Sequence, residues 1–355
     1  MGPQAPVAQL DRASDYGSEG REFDSLRAHQ AMSRVVNTSD PELTPLLQGY
    51  AGYRQRLQAV CPQLTDDVLM APLMQRLDSL EEVYQDAQAI LFDSYGVLNL
   101  GQRPLPGMPK TVAKLRKLGK QVRVLTNNAS LSGAGIAKFL NNLGYNFDES
   151  EIISCGHALK TYVRRHNLEG SAMYCIGPPA SRQYIWEAGG LPCNQAVAAG
   201  RGHEAQWVVL ASSGEFDSAQ YQTAKALMAQ GKNTICLNAD LVAPLSETQL
   251  SETIGAVALQ LEKETGRPVT MLGKPFTWIY DTVLGPLITV PNRSILMIGD
   301  SLYTDVLGGL AAGICCVLTP SAIPFLGAEK GIPDFCRGAG ILPHYYVERL
   351  DALCI

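Results

Sequence analysis

Residues 89–98 have the sequence Ala-Ile-Leu-Phe-Asp-Ser-Tyr-Gly-Val-Leu, in which an apolar run ends at an acid. A short run of this kind predicts a strand buried on both faces, as in a parallel sheet. Asp93 follows this strand, at the edge where open α/β sheets bind ligands, and Gly96 lets the chain turn away. Asp93 is therefore either a nucleophile or metal ligand, or a strand-end acid that accepts hydrogen bonds from a turn.

The composition is that of a globular protein. The 355 residues are 46% hydrophobic and 18% charged, which suits two domains with a large core. The net charge of −5 argues against a nucleic-acid-binding surface. Nine cysteines without CxxC pairs indicate reduced thiols rather than a zinc site or disulfides. Without a bilayer-spanning run or a signal-peptide pattern, we expect a cytoplasmic protein with no membrane partner.

Residues 1–31 form a polar segment without apolar periodicity, for which we predict disorder. Residues 20–30 can be back-translated to contain GTTCGATTC and then an ACCA ending, similar to the T-arm and end of a transfer-RNA gene. We hypothesise that the start codon is misassigned and that the native chain begins near Met32. An intact mass that includes residues 1–31 would contradict this hypothesis.

Residues 32–88 predict an N-terminal helical extension. Asp40 can cap a helix that has Pro41 at its first position, and apolar residues follow at helical spacing. A second helix is predicted from Thr65, as its cap, through Leu77. We expect both helices to be structural, packing beside the main domain.

From residue 89 the pattern alternates strand and helix, which predicts a parallel sheet with right-handed crossovers. This alternation brings Asp93 and the Thr126-Asn127-Asn128 triplet to adjacent strand ends. The hydroxyl and amide groups of the triplet suit a phosphate, or else they cap the following turn. The elements predicted after the first strand are helices at 111–118 and 136–143 and strands at 122–125 and 151–154.

The middle of the chain predicts a second α/β unit, inserted as a cap over the crevice at these strand ends. The polar loops 214–217 and 237–240 could contact substrate, although ordinary turns are equally consistent with them. The predicted elements are strands at 171–176, 207–211 and 234–237 and helices at 181–188 and 218–229.

The last segment adds a cation and two more acids. Lys274 follows a predicted strand in Met-Leu-Gly-Lys-Pro, where its ammonium can neutralise a phosphoryl group or simply be solvated. Asp300 ends the buried run Ser-Ile-Leu-Met-Ile-Gly-Asp, followed by Ser301 and, five residues on, Asp305. Carboxylates at this spacing suit an oxygen-ligated magnesium site.

These four signals, in this order, resemble the haloacid dehalogenase superfamily, and the place of the insertion is similar to its class IIA, or NagD-like, group. The resemblance covers residues 89 to the C-terminus. It implies a three-layer α/β/α core with a Rossmann-like parallel sheet, an inserted α/β cap and, before them, the helical extension. We expect the core at 89–167 and 266–355 and the cap at 168–265.

The resemblance also implies roles in phosphoryl transfer. Asp93 would be the nucleophile that forms an aspartyl phosphate. Thr126, Asn127 and Lys274 would bind the transferring phosphate. The position of Tyr95 would be that of the general acid and base. The implied substrate is a small phosphorylated metabolite, and we also expect a homodimer formed through the cap.

A magnesium ion is the cofactor that the resemblance implies. Its ligands would be the carboxylate of Asp93, the backbone carbonyl of Tyr95 and the carboxylate of Asp300. Ser301 and Asp305 would support these groups from the next layer of residues.

Tyr95 departs from the family pattern, which has a second acid two residues after the nucleophile. A phenol with a pKa of about 10 is a poor base at neutral pH. We expect slow or narrow phosphatase activity unless another carboxylate, for instance from the cap, substitutes. Replacing Tyr95 with Asp is then expected to raise turnover.

Two alternatives follow from the same departure. Asp-x-Tyr-Gly also resembles the 2-haloacid dehalogenases, which work without metal and whose halide leaving group needs no proton. The other alternative is a non-catalytic protein that binds a phosphate or metabolite in the same pocket.

Overall fold

The computed structural model describes residues 35–37, 43–213, 217–244, 249–319 and 331–354. The predicted disorder of residues 1–31 and the Asp40–Pro41 cap lie outside these residues. The strands are β1 Val35–Asn37, β2 Gln75–Arg76, β3 Ala89–Phe92, β4 Asn99–Leu100, β5 Arg103–Pro104, β6 Gln121–Thr126, β7 Ile152–Ser154, β8 Ala172–Ile176, β9 Leu191–Pro192, β10 Trp207–Leu210, β11 Asn233–Cys236, β12 Val242–Pro244, β13 Gln249–Glu252, β14 Val269–Met271, β15 Ile295–Gly299, β16 Cys315–Leu318 and β17 Tyr345–Tyr346.

Helices connect most of the parallel strands. No described helix has both the length and the apolar character needed to cross a bilayer. The α-helices are α1 Leu43–Val60, α2 Asp66–Met70, α3 Glu81–Tyr84, α4 Met108–Lys117, α5 Gly133–Asn142, α6 Cys155–His166, α7 Pro179–Glu187, α8 Asn194–Ala198, α9 Ser218–Ala229, α10 Ile254–Thr265, α11 Thr277–Leu284, α12 Leu307–Ala311 and α13 Ile332–Ala339.

The larger sheet is parallel, with seven strands in the order β2-β17-β16-β15-β3-β6-β7. Strand β3 lies inside the sheet, and its Ile90 and Phe92 belong to one apolar cluster while Ala89 and Leu91 belong to another. Both faces of the strand are therefore buried, as its unbroken apolar run predicts. This α/β architecture with helices around a parallel sheet confirms the predicted fold class.

The second sheet has five strands in the order β14-β11-β10-β8-β9, and its pairings are parallel. We call this sheet and the helices α7–α10, which pack against it, the cap. Val269–Met271 pairs with Asn233–Cys236 here, so the sheet extends beyond residue 265, the predicted end of the inserted segment. The domain boundaries otherwise stay predictions.

The N-terminal extension is not only helical. Helix α1 is present, but the second predicted helix is wrong in length: Thr65 caps α2 by accepting a hydrogen bond from the Val68 amide, and α2 ends at Met70 rather than Leu77. Pro72 is incompatible with a continuing helix because it has no backbone N–H to donate and its ring clashes with the preceding turn. The chain then forms β2, which adds an edge strand to the larger sheet.

Candidate active site

Three neighbouring strands bring the predicted site residues to one edge of the larger sheet. Strand β3 lies between β15 and β6, with Phe92 in register with both Ile298 and Val124. The backbone amide of Asp93 continues the ladder by donating to the Ile298 carbonyl at 2.9 Å. Asp93, Thr126 and Asp300 therefore follow adjacent strand ends, where a crevice forms at the carboxyl edge.

Lys274 reaches this crevice from the segment after β14. Its Nζ lies 2.8 Å from Asp93 Oδ1 and 2.7 Å from Asp305 Oδ1. The residue is only 1% exposed, so the predicted alternative of a solvated lysine is wrong. Burial lowers the pKa of Lys274, but the charges of Asp305 and Asp93 outweigh it and hold the pKa above its ordinary value.

Three carboxylates converge beside this ammonium. Oxygen atoms of Asp93, Asp300 and Asp305 lie within 4.8 Å of one another, and all three residues are buried. Burial raises the pKa of Asp93 and that of Asp300, and each is raised further by other acids of the group. One lysine does not balance three buried carboxylates, which makes the cluster chemically suited to a divalent cation.

Gly96 leaves the space in which Asp300 sits. Gly96 has φ of +82°, and a Cβ at this position would lie 1.9 Å from Asp300 Oδ2. A side chain at residue 96 would therefore displace the carboxylate predicted to bind metal. Glycine is needed both for the backbone conformation and for the close approach.

A π-helical turn, Leu302–Val306, places Asp305 next to Lys274. The backbone amide of Ser301 donates to Asp305 Oδ2 at 3.1 Å, and the Tyr280 hydroxyl donates to the Asp305 carbonyl at 3.1 Å. Turns of this type recur at functional sites. Here the two hydrogen bonds hold the side-chain carboxylate and the backbone carbonyl of Asp305.

The Asn127 side chain connects the larger sheet to the cap. Its Oδ1 accepts from the Lys274 backbone amide at 2.8 Å, and its Nδ2 donates to the Lys274 carbonyl at 3.0 Å. The same Nδ2 donates to Asp240 Oδ1 at 2.9 Å. The Thr126 hydroxyl accepts from the Asn128 amide at 3.3 Å. The structure thus places the triplet beside Lys274, and the phosphate-binding roles of Thr126 and Asn127 remain predictions.

Tyr95 follows Asp93 as expected but is turned toward the β4–β5 hairpin. Its hydroxyl accepts a hydrogen bond from the Gly101 backbone, and burial raises its pKa. A raised pKa leaves even less phenolate at neutral pH, so Tyr95 is less available as a base than an exposed tyrosine. Only the backbone of Tyr95 is thus suited to the predicted metal site.

Two features of this region were not predicted. Asp240 lies in loop 237–240, for which the sequence was consistent with either substrate contact or an ordinary turn. Its hydrogen bond to Asn127 shows that its carboxylate lies beside the predicted phosphate-binding triplet. Tyr50 and Tyr53 of α1 contact the same loop through their hydroxyls. Their spacing of three residues indicates a shared helix face but not what that face covers.

Comparisons with known proteins match the same segments. Residues 90–190 match the family of haloacid dehalogenase-like hydrolases, and residues 271–327 match a second, HAD-hydrolase-like family. Bovine chronophin (Bos taurus) is 28% identical over 289 residues, which cover 78% of this chain and 95% of chronophin.

Two solved structures share the fold. NagD from E. coli K-12 has a TM-score of 0.61 at 22% identity, covering 74% of this chain and 97% of NagD. The glycerol phosphate phosphatase Rv1692 from Mycobacterium tuberculosis, in complex with magnesium, has a TM-score of 0.63 at 21% identity, covering 77% of this chain and 78% of Rv1692.

The two matched segments carry the residues that meet in the crevice. The first contains Asp93 and Thr126, and the second contains Lys274, Asp300 and Asp305. Because the matched segments and the converging strand ends coincide, the comparisons support a haloacid dehalogenase superfamily hydrolase, with NagD-like class IIA proteins among its neighbours.

Proposed function

We propose that the chain is a Mg²⁺-dependent phosphatase that acts on a small phosphorylated metabolite through an aspartyl phosphate at Asp93. The observation that carries this proposal is the buried contact of 2.8 Å between Lys274 Nζ and Asp93 Oδ1, beside the two further acids. An anionic nucleophile that attacks an anionic ester needs nearby positive charge, and this crevice supplies a fixed cation next to the attacking oxygen.

Magnesium fits the acids of the crevice. The carboxylates of Asp93 and Asp300 and the backbone carbonyl of Tyr95 would hold it, an oxygen-only set of the kind that magnesium prefers. When bound, the ion supplies positive charge to the nucleophile and the phosphoryl oxygens. The excess of buried negative charge and the space left by Gly96 support this assignment, as does the magnesium complex of Rv1692.

The chain's own residues divide the remaining work. Asp93 attacks phosphorus, and Lys274 orients its carboxylate and neutralises a phosphoryl oxygen. Asp305 keeps Lys274 protonated and in place through the 2.7 Å contact. Thr126 and the backbone around Asn127 would bind the remaining phosphoryl oxygens from the adjacent strand end.

A panel of phosphomonoesters, assayed with Mg²⁺ and with EDTA, tests the proposal. We expect turnover that needs Mg²⁺ and falls by about 10⁴-fold or more in Asp93→Asn, because the nucleophile is lost. Asp67→Asn, an exposed change on α2, serves as the control and should behave as wild type. Acid quenching with a radiolabelled substrate should trap a phosphoenzyme in wild type and Asp67→Asn but not in Asp93→Asn.

Other results would select the alternatives. EDTA-insensitive chloride release from a 2-haloacid would identify a dehalogenase. Binding of vanadate or beryllium fluoride without turnover of any ester would identify a phosphate-binding protein instead.

The cellular compartment and the assembly state belong to the same proposal. Nine free cysteines are consistent with a reducing compartment such as the cytoplasm. Exposure of Trp186 (60%) and Leu191 (46%) on the cap supports a homodimer formed through that domain. Light scattering of the purified chain would show whether it is dimeric.

A further inference from the structure

The crevice needs a proton donor that Tyr95 does not supply. Tyr95 is partly buried, its hydroxyl accepts from the Gly101 backbone, and its pKa is raised. An alkyl phosphate nevertheless needs a proton on its leaving oxygen, and hydrolysis of an aspartyl phosphate needs a base for the water. A second group near Asp93 must therefore carry the proton if the chain turns over such esters.

Asp240 is a carboxylate that the cap places at this crevice. It follows β11 and accepts a hydrogen bond from Asn127 Nδ2 at 2.9 Å, next to the backbone of Lys274. The charge of Asp240 acts on Asp93, as does that of Asp305. Asp240 thus lies on the cap side of Asn127 and the Lys274 backbone, close enough for its charge to act on Asp93.

The other three acids of the crevice, Asp93, Asp300 and Asp305, have different surroundings from Asp240. Asp305 is paired with Lys274, while Asp93 and Asp300 form the cluster suited to a cation. Asp240 forms no ion pair within the described residues, and its hydrogen-bond partner is the neutral amide of Asn127 rather than a cation. Burial raises the pKa of Asp240 to about 6, which allows both protonation states near neutral pH.

Helix α1 fixes the loop on both sides of Asp240. The Tyr53 hydroxyl donates to the Ala239 carbonyl at 2.5 Å, and the Tyr50 hydroxyl accepts from the Leu241 amide at 2.9 Å. Thr253 donates to the backbone carbonyl of Asp240 itself. The residues before and after Asp240 are therefore held, which limits where its carboxylate can point.

Helix α1 also contacts the two loops that carry the core residues. Tyr50 stacks on Tyr303, which follows Asp300, with ring centroids 5.8 Å apart. Tyr53 meets Phe276, two residues after Lys274, edge to face at 5.4 Å. The family matches begin at residue 90, so this support comes from a part of the chain outside the matched segments.

We propose that Asp240 is the general acid and base of this site and that Tyr50 and Tyr53 are positioning residues that aim it. This inference rests on the proposed phosphatase function. In the first step Asp93 attacks phosphorus, the bond from phosphorus to the leaving oxygen breaks, and protonated Asp240 gives its proton to that oxygen. In the second step ionised Asp240 takes a proton from the water that attacks phosphorus, the bond to Asp93 breaks, and inorganic phosphate leaves.

Asp240→Asn tests the role because the amide keeps the size and the acceptor for Asn127. With glycerol phosphate, whose alkoxide needs a proton, kcat/KM should fall by about 10²–10⁴-fold. With 2,4-dinitrophenyl phosphate, whose phenolate leaves unaided, a burst of product equal to the enzyme concentration should remain. Phosphoenzyme should then accumulate, since its hydrolysis has lost the base.

Glu187→Gln, which changes an exposed acid at the end of the cap helix α7, is the matched control and should leave the turnover of both substrates unaffected. The double variant Tyr95→Asp, Asp240→Asn should hydrolyse glycerol phosphate at least tenfold faster than Asp240→Asn alone. Tyr50→Phe should also lower the activity on glycerol phosphate more than the dinitrophenyl phosphate burst, although by a smaller factor than Asp240→Asn. A purely structural role would lower the activity on both substrates equally.

The failures are distinguishable. Absence of Asp93-dependent turnover in wild type would overturn the proposed function and this inference with it. An active wild type whose Asp240→Asn variant is equally active on glycerol phosphate, or loses the burst and the alkyl ester activity to the same extent, would overturn the inference alone.

Discussion

The two ends of the crevice are built differently. At the core end, Asp93, Asp300 and Lys274 follow strands within the segments that match the family, and all three are buried. Proton transfer cannot be assigned to Tyr95 of the core, and the available carboxylate, Asp240, is at the cap end on a loop held by α1. The difference suggests that charge neutralisation is fixed by strand ends, whereas proton transfer can be reassigned to peripheral elements.

The largest effect is expected from removing the charge at the core end. Lys274→Met leaves Asp93 and Asp305 buried without their shared cation. Breaking a buried pair in this way costs about 3–5 kcal/mol. Urea unfolding in EDTA at neutral pH should show this loss, and Mg²⁺ should recover part of it by binding the folded state.

Lys114→Met is the matched control for this change. Lys114 pairs with Glu81 at 3.0 Å, but both side chains are about half exposed. A surface pair of this kind contributes about 1 kcal/mol or less. Equal losses of unfolding free energy in the two variants would mean that the core end is not the charge-dependent region described above.

A smaller loss of stability, accompanied by a loss of metal binding, is expected at Gly96. Gly96 and Gly200 have the same φ of +82°, but a Cβ at Gly200 would meet nothing within 4 Å. Alanine should therefore cost each variant about 1–2 kcal/mol of backbone strain. Gly96→Ala should in addition displace Asp300 and weaken Mg²⁺ binding at least tenfold, measured by calorimetry. Unchanged Mg²⁺ affinity in Gly96→Ala would remove Asp300 from the metal site.

The sequence was sufficient for the core end because its signals are local. The buried run Ala89–Phe92 and the acids that follow such runs are visible in a few consecutive residues. The end of α2 was also visible, in Pro72, although apolar spacing favoured a longer helix. By contrast, β2 pairs with β17 across 270 residues, from Gln75 to Tyr345. No local pattern indicates such a partner.

The cap end depends on contacts of the same long-range kind. Asn127 and Asp240 are 113 residues apart, and Tyr53 and Ala239 are 186 apart. The loop sequence Leu-Asn-Ala-Asp fits an ordinary turn, and indeed Asn238 Oδ1 accepts from the Asp240 amide at 2.8 Å. The proposed role of Asp240 in proton transfer is suggested only by the packing of α1 against the cap.

The smallest effect is expected from Tyr53→Phe, which removes one hydroxyl from this packing. The Ala239 carbonyl loses its donor, and a net loss of about 1 kcal/mol in unfolding free energy is expected. Tyr145→Phe removes a similar buried bond, to the Leu98 carbonyl at 2.6 Å, and should cost as much in the same urea titration. Only Tyr53→Phe should also slow glycerol phosphate hydrolysis relative to the dinitrophenyl burst. If the two variants lose stability and activity alike, α1 contributes to folding but does not aim the cap carboxylate.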